Sequence, residues 1–546
     1  MNTDIPAHDG PTPLVPPAAG FQQRLGLFDA VMLVVGTMIG SGIFVTSASM
    51  AQDLGSSGWL LIAWGLTAVM TIFGALCYAE LAAMMPHAGG QYVFLREAYS
   101  PLWGFLYGWS VFLVIQTGSI AAVAVAFSKF LGALVPAFGM DPSGEGVVTL
   151  VHVQFAQPWQ INMPLPWSEK PLTIFERKEF VVTLGHCMAV AILASLSLLN
   201  CLGVREGKWV QNLFTVAKTL ALVVLIVLGL TIAVNPEAIQ LNLSNLWEGI
   251  YGTKQFASTQ SLVPAATPVL TVALMVLGGA MVGSLFSADA WNNVTFTAAE
   301  VQNPRRNLPL CLILGTGLVM VLYLLANLAY LAVLPVQGDP NGSTPFDRGI
   351  AHVEDGRVGT AVLKTASPNF GVPFMAIAIM ISTFGCVNGM VLMGARLYYA
   401  MAQDGLFFQA VGKLNSRGVP AAGLILQGIW SILLVFSGTY NELLDFVVFA
   451  VLVFYVLTVA GLFILRRRMP DLPRPYRVFG YPFLPAIYVF LCFAVMIDLL
   501  IVKPEFTWPG LIIVLSGIPV YFLWRTFGTK PPVPHLVPMP PPEEPA

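Results

Sequence analysis

The sequence predicts an all-α integral membrane protein with twelve transmembrane helices, arranged as a five-plus-five inverted repeat in which helices one and six are broken. Hydrophobic residues make up 56% of the 546 residues and charged residues only 10%, whereas soluble domains carry about 25% charged residues. Apolar runs long enough to cross a bilayer recur along the chain. Two of these runs are interrupted by glycines at matching positions, which predicts the repeat.

The apolar runs divide the chain into two repeats and a final pair of helices. A membrane helix needs about 20 residues, and we place twelve spans at 26–50, 58–84, 102–136, 180–201, 209–234, 267–300, 309–334, 373–402, 420–438, 444–466, 483–502 and 508–527. Spans one to five form the predicted first repeat (25–235) and spans six to ten the second (236–468), and spans eleven and twelve follow (469–528). The proline-rich tails at 1–24 and 529–546 are predicted to be disordered and cytoplasmic.

The positive charges predict the side of the membrane on which each loop lies. With the N-terminus inside, sixteen lysines and arginines lie on the cytoplasmic side and eight on the outside, in agreement with the positive-inside rule. Seven of those eight lie in the three longest loops, at 137–179, 235–266 and 335–372, where charge has little influence on topology. We therefore predict a multi-pass plasma-membrane protein with both termini in the cytoplasm.

Other classes of protein find little support in the composition. The net charge of −2 and the lack of a basic patch argue against nucleic-acid binding. The six cysteines have no CxxC spacing and the six histidines are scattered, so we expect no structural disulfide, metal or cofactor. The spans contain no HExxH or GxSxG motif, and we do not expect an enzyme.

The first apolar run contains three glycines, a serine and a threonine between Gly36 and Gly42. Because each glycine weakens a helix by roughly 1 kcal/mol, we predict that the helix opens here. The N–H groups of Ser41, Gly42 and Ile43 would then begin a new half-helix and bind an anion such as a carboxylate. The alternative is close helix packing through small residues.

A second interrupted run lies five crossings later, at 278–293, and contains an acid as well as small residues. Two interrupted spans at corresponding positions indicate a midplane binding site in an inverted-repeat transporter. An α-amino acid would fit, with its ammonium group on the carbonyls of residues 37–39, Phe286 and Ser287. Phe286 and Trp291 would close over the ligand or pack in the core, and Gly279, Gly283 and Ala288 would leave room for a side chain.

Asp289 and Lys218 are ionisable residues deep in the predicted spans. Asp289 is either functional, as intramembrane acids usually are, or a cap on the half-helix that begins near Trp291. The Lys218 ammonium would replace a sodium ion that bridges span one to span eight near Ser382 and Thr383, and it could carry a proton. The alternative for Lys218 is a structural tie to backbone carbonyls. Two further acids, Glu80 and Glu300, lie near cytoplasmic ends of spans and are predicted to be gate or capping residues.

Several motifs resemble a known family. Residues 36–44, Gly-Thr-Met-Ile-Gly-Ser-Gly-Ile-Phe, resemble the first-helix signature of the amino acid–polyamine–organocation superfamily. Residues 291–296 and 299–309 resemble the sixth helix of its L-type amino acid transporter branch, and residues 210–215 with Lys218 resemble the fifth. The resemblance covers about residues 25–500.

The resemblance implies twelve helices, a five-plus-five repeat and alternating access for amino acids. It implies sodium independence, because a lysine stands at position 218. It also places substrate binding on eight residues: Ile39, Gly40, Ser41, Gly42, Ile43, Phe286, Ser287 and Asp289.

Three features depart from the family pattern. Ala288 stands where the family usually has an aromatic residue, and Ala290 stands where it has glycine. The loop at 137–179 is longer than typical and contains no cysteine. The disulfide to a glycoprotein heavy chain, which animal members form, is therefore not expected.

Together these features predict a sodium-independent transporter of neutral L-amino acids, either a permease or an exchanger, that works by alternating access. Its expected partners are the amino acid and membrane lipid. One alternative is a proton-coupled amino acid or polyamine symporter. Another is a non-transporting amino acid sensor on the same scaffold.

Overall fold

The computed structural model describes residues 21–163, 172–437 and 440–527. The predicted tails at 1–24 and 529–546 lie outside the described residues, apart from residues 21–24. Everything below concerns the described part of the chain.

The first part of the chain consists of eight helices and one hairpin. The elements are α1 (Leu27–Met38), α2 (Gly42–Leu54), α3 (Ser57–Met84), α4 (Gln91–Ala98), α5 (Pro101–Ser110), α6 (Gln116–Leu134), β1 (Thr149–Met163), β2 (Leu172–Thr183), α7 (Leu184–Leu202) and α8 (Val204–Thr231). A π-helical turn, Val111–Ile115, joins α5 to α6 within one span. Helix α4 is a short helix between the predicted spans two and three.

The second part continues with nine helices and closes with a pair. They are α9 (Pro236–Ser244), α10 (Lys254–Leu262), α11 (Val269–Ser287), α12 (Pro304–Val333), α13 (Pro345–Arg348), α14 (Val358–Ala366), α15 (Pro368–Gln403), α16 (Ala421–Val435), α17 (Tyr440–Arg468), α18 (Phe483–Val502) and α19 (Pro504–Phe527). A 3₁₀ helix, Trp291–Glu300, follows α11.

Helix α8 shows why these sequences form membrane helices. Its exposed face is apolar and includes Leu213 and Leu220, which are 57% and 59% exposed. Its buried face is polar and includes Gln211, Thr215 and Lys218. Because side chains three and four residues apart share a helix face, this pattern turns apolar groups toward lipid and polar groups toward the protein interior.

The number of predicted spans agrees only in part with the structure. Within the described ranges, eleven helical segments are long and apolar enough to cross a membrane, and α16 is a shorter apolar helix. At 15 residues α16 is shorter than the predicted span 420–438. The twelve-helix count and the inverted repeat therefore stay predictions.

The structure differs from the prediction in the start of span four and in the elements that the three long loops contain. Span four was predicted from residue 180, but α7 begins at Leu184 because residues 180–183 belong to β2. The strands β1 and β2 form an antiparallel hairpin inside the loop expected at 137–179, which is the departure from an all-α fold among the described residues. The other two long loops contain α9 and α10, and α13 and α14.

Candidate functional site

The first span is broken where its glycines predict. Helix α1 ends at Met38, Ile39 adopts an extended conformation (φ −76°, ψ 93°), and α2 begins at Gly42. Ile39, Ser41 and Ile43 are at most 1% exposed. The break thus lies inside the protein, where unpaired backbone groups can be satisfied.

The second span is broken as well, but its second half differs from the prediction. Helix α11 ends at Ser287 and the chain resumes at Trp291 as a 3₁₀ helix, not as an α-helix. Ala290 adopts a left-handed conformation (φ 66°, ψ 3°) that favours glycine. Ala290 therefore occupies a strained backbone position, and the family that the sequence resembles usually has glycine there.

The two breaks contact each other through Gly42 and Ser287. A Cβ atom on Gly42 would lie 3.0 Å from the Cα atom of Ser287 and 2.3 Å from its hydroxyl oxygen. The hydroxyls of Thr46 and Ser287 lie 3.0 Å apart, and the Thr37 hydroxyl donates to the carbonyl of Ala290 over 3.2 Å. In this conformation Ser287 packs directly against Gly42 at the start of α2.

The carbonyls expected to bind an ammonium group already accept hydrogen bonds from the protein. The Tyr323 hydroxyl on α12 donates to the carbonyls of Met38 (2.8 Å) and Ser287 (3.1 Å). The Cys386 thiol donates to the carbonyl of Thr37 (3.1 Å). Each carbonyl oxygen has two lone pairs, so a substrate can share these acceptors.

Lys218 joins span five to spans one and eight. Its ammonium donates to the carbonyls of Gly36, Ile39 (2.7 Å) and Ser382 (3.3 Å), and the whole side chain is buried. The Ser382 hydroxyl donates to Ile39 (3.1 Å) and Gly40 (2.9 Å). The predicted tie to backbone carbonyls is present.

Thr383 is not part of this bridge. Its hydroxyl donates to the carbonyls of Ile379 (2.9 Å) and Met380 (3.0 Å), within its own helix.

The cap position of the second half of span six is occupied by Ala290, which provides no side-chain hydrogen bond. The Asp289 carboxylate accepts hydrogen bonds from the backbone N–H of Ala290 and from the Tyr455 hydroxyl on α17, the latter over 2.5 Å. Asp289 therefore binds an N–H group at the break without being the N-cap residue. Sequence analysis missed Tyr455 and Tyr323, because a tyrosine in an apolar run gives no local sign of a polar contact.

Two small cavities share Asp289 and Tyr455 in their walls, and each holds about 20 Å³ of free space. The wall of the polar cavity includes Gln91, Gln116 and Asn293. The apolar cavity has a mainly apolar wall made by Met70, Leu285, Ala288, Trp291, Val448 and Tyr488, among others. Neither cavity is lined by Phe286 or by residues 39–43.

The glycines expected to make room for a substrate instead serve helix packing. A Cβ atom on Gly283 would lie 3.0 Å from Cβ of Thr46, and one on Gly279 would lie 3.2 Å from Val502. Ala288 does line the apolar cavity.

Buried ion pairs connect the helix ends on the predicted cytoplasmic side. Glu80 on α3 pairs with Arg466 (2.6 Å), and Glu300 pairs with Arg396 on α15 (3.1 Å), both acids being buried. Glu80 and Glu300 are the two acids that the sequence predicts to be gate or capping residues.

A third pair, between Arg96 on α4 and Asp404, was not predicted. Burial alone would lower the pKa of Arg96, but the neighbouring carboxylates of Asp404 and Glu97 raise it above its ordinary value. The guanidinium therefore stays charged, and the pair joins α4 to the end of α15.

A bundle of apolar helices in which two interrupted helices face each other beside buried cavities defines a polytopic membrane transport protein. The chain belongs to the amino acid permease family, whose profile matches residues 25–523.

Two relatives illustrate the similarity. The b(0,+)-type amino acid transporter 1 of Homo sapiens is 29% identical over 543 residues, which cover 97% of this chain and 95% of the relative. The Large neutral amino acids transporter small subunit 2 of Mus musculus is 29% identical over 511 residues, covering 93% of this chain and 82% of the relative.

Proposed function

We propose that this chain is a sodium-independent transporter of neutral L-amino acids that works by alternating access, as an exchanger. The observation that carries the proposal is the position of Lys218, whose ammonium joins the break in span one to span eight. A monovalent cation at the same place would make the same contacts with carbonyl oxygens. The names of both relatives, which specify amino acid transporters, support the choice of substrate.

The backbone at the two breaks would bind the amino and carboxyl groups of the substrate. Ser41 is the N-cap residue of α2, and Gly42 and Ile43 begin the helix, at the end where backbone N–H groups point outward along the helix axis. They are suited to a carboxylate. The ammonium group would share the carbonyls of Ile39 and Phe286, next to Gly40 and Ser287.

Substrate binding requires a movement at the break. Because Ser41 and Ile43 are buried and Ser287 lies against Gly42, a carboxylate would reach the first turn of α2 only when α2 and α11 separate there. The present arrangement is therefore a closed one. The ion pairs Glu80–Arg466 and Glu300–Arg396 also close the predicted cytoplasmic side.

The side chain of the substrate would enter the polar cavity beside Asp289. In the present arrangement this cavity holds only about 20 Å³ of free space, so a substrate side chain would enter it only after the helices separate. Trp291, whose ring lies 5.4 Å from that of Tyr455, lines the apolar cavity and not the polar one.

We propose that the chain functions without a disulfide-linked heavy chain, in the plasma membrane and with both termini in the cytoplasm. The name of the mouse relative specifies a small subunit. In this chain the hairpin region at 137–183 contains no cysteine that could link it to another protein.

Transport by the purified chain tests the proposal. Proteoliposomes are loaded with leucine or left empty, and uptake of radiolabelled leucine is measured with sodium or with choline. We expect uptake that requires internal leucine and is equal in both salts. Uptake that requires sodium would overturn the mechanism, and leucine binding without any flux would favour the sensor. Uptake driven by an inward proton gradient into empty liposomes would favour the symporter.

A further inference from the structure

A carboxyl group in span eleven has no partner. Asp498 lies on α18, four residues before the end of that helix at Val502. The residue as a whole is partly exposed, yet both of its carboxylate oxygens are buried and accept no hydrogen bond from any residue that the structure describes. The proposed transport mechanism makes no use of this side chain.

Gly278 on α11 covers the carboxyl group. A Cβ atom built on Gly278 would lie 2.2 Å from Oδ2 of Asp498 and 3.0 Å from its Cγ. Only glycine permits so close an approach. The next residue, Gly279, lies against Val502 in the same way, since its Cβ atom would be 3.2 Å from Cγ1. The two glycines let α11 and α18 pack closely with the carboxyl group between them.

The neighbouring elements provide no countercharge. Helix α18 packs against α3, α10, α11, α17 and α19, and α11 contains no titratable residue. The titratable groups described on the other elements, on α18 itself and just after it are Cys77, Tyr78, Glu80, Lys254, Tyr455, Arg466, Arg467, Arg468, Tyr488, Cys492, Lys503, Glu505, Tyr521 and Arg525. None of these forms an ion pair or hydrogen bond with Asp498.

An ionised carboxylate without a partner is costly inside a membrane protein, whereas the neutral acid is much less so. We propose that Asp498 is a proton-binding site whose occupancy is linked to the packing of α11 against α18. A proton from water forms the O–H bond while the helices are packed. The proton returns to water when the helices separate and the carboxyl group is hydrated.

The position of α11 links this proton to the breaks. Helix α11 ends at Ser287, which lies against Gly42 in the closed arrangement. Protonation of Asp498 therefore favours the closed arrangement, and a higher pH favours its opening. This inference goes beyond the proposed function. Only one of its two tests, the transport measurement, rests on that function.

Infrared spectroscopy tests the proton site directly. The full chain in lipid nanodiscs is titrated over about pH 5 to 9, where one group changes the ratio of its two forms about tenfold per pH unit. In the wild type we expect a C=O stretching band of a protonated acid that disappears at high pH. The band should be missing in Asp498→Asn. It should persist in the control Glu505→Gln, which changes an exposed acid in the same way. Identical spectra of the wild type and Asp498→Asn at every pH would overturn the proposal.

The pH profile of leucine exchange provides the second test. We expect the wild-type rate to change with pH and Asp498→Asn to flatten that change by at least half, with Glu505→Gln unaltered. A wild-type profile in Asp498→Asn would contradict the link to α11. If the asparagine variant does not fold, Asp498→Ser serves in both measurements. If the wild type itself does not exchange leucine, the proposed function fails. The infrared result still decides whether Asp498 binds a proton.

Discussion

The ammonium of Lys218 donates to the carbonyl oxygen of Ile39 over 2.7 Å, although the two residues lie 179 positions apart. This contact fixes span five to the residue at which span one leaves its helix. A buried ammonium is tolerated because three carbonyls surround it. Lys218 thus ties the break in span one to span five.

Removing this ammonium should slow transport. In Lys218→Ala the carbonyl of Gly36 loses its donor, which costs about 1 to 3 kcal/mol for a buried acceptor left without a partner. The carbonyl of Ile39 keeps only the Ser382 hydroxyl. We expect the maximal rate of leucine exchange to fall at least about tenfold, more than leucine affinity falls. Rates and affinities come from proteoliposome exchange and from ligand binding.

Lys129→Ala is the matched control, since that ammonium donates to the Asp355 carbonyl near the end of α6, away from the breaks. Wild-type exchange kinetics in Lys218→Ala would contradict the role of Lys218.

A single methyl group at Gly42 should block the site. In Gly42→Ala the new Cβ atom would lie 3.0 Å from the backbone Cα of Ser287, and such overpacking typically costs about 1 to 3 kcal/mol. We expect leucine exchange to fall about tenfold or more while the variant still reaches the membrane.

Gly65→Ala on α3 is its control, because a Cβ atom there would meet no heavy atom within 4 Å. If Gly42→Ala and Gly65→Ala exchange leucine equally well, the contact between the two breaks has no functional importance.

The sequence was sufficient to locate the breaks because their causes are local. Glycines and small polar residues at 36–42 and 278–290 weaken the helix where they stand. The 3₁₀ form of Trp291–Glu300 was not predictable, since packing around that segment and not its own composition determines it. The strands of the hairpin, Thr149–Met163 and Leu172–Thr183, lie mostly within a loop that the sequence distinguished only by its length and its lack of cysteine.

The partners at the breaks could not be derived from the sequence. Tyr323 contacts Met38 across 285 positions, and Tyr455 contacts Asp289 across 166. Such contacts depend on how distant helices pack, which single-sequence periodicity does not specify. Asp498 was placed in span eleven but not singled out, because only the tertiary structure shows that its oxygens are buried.

The Tyr323 hydroxyl should stabilise the closed arrangement of both breaks. Tyr323→Phe removes the one O–H that Met38 and Ser287 share as acceptors, a loss of about 0.5 to 1.5 kcal/mol. We expect a lower unfolding temperature and an altered balance between substrate affinity and exchange rate. Tyr99→Phe, which removes a bond to Leu457 elsewhere in the bundle, should change only the unfolding temperature. Identical transport in Tyr323→Phe and the wild type would contradict this assignment.

Asp289 should control the charge of the side chain that the polar cavity accepts. Asp289→Asn keeps the shape of the group beside the cavity but removes its negative charge. We expect the affinity for lysine as a competitor, relative to the affinity for leucine, to fall at least about tenfold, because a hydrogen bond to a charged group contributes about 1.5 to 3 kcal/mol. Competition by unlabelled lysine and leucine measures the ratio of the two affinities, and an unchanged ratio would place the substrate side chain elsewhere.

The ion pair between Glu300 and Arg396 should be essential for stability. Both side chains are only 1% exposed, so Glu300→Gln leaves a buried guanidinium without a countercharge, at a cost of about 3 to 5 kcal/mol. We expect a clearly lower unfolding temperature in detergent. Asp355→Asn breaks the Arg357–Asp355 pair, in which the acid is 51% exposed, and should cost at most about 1 kcal/mol. Equal unfolding temperatures for the two variants would show that Arg396 has another partner for its charge, and the pair would then not hold span six to span eight.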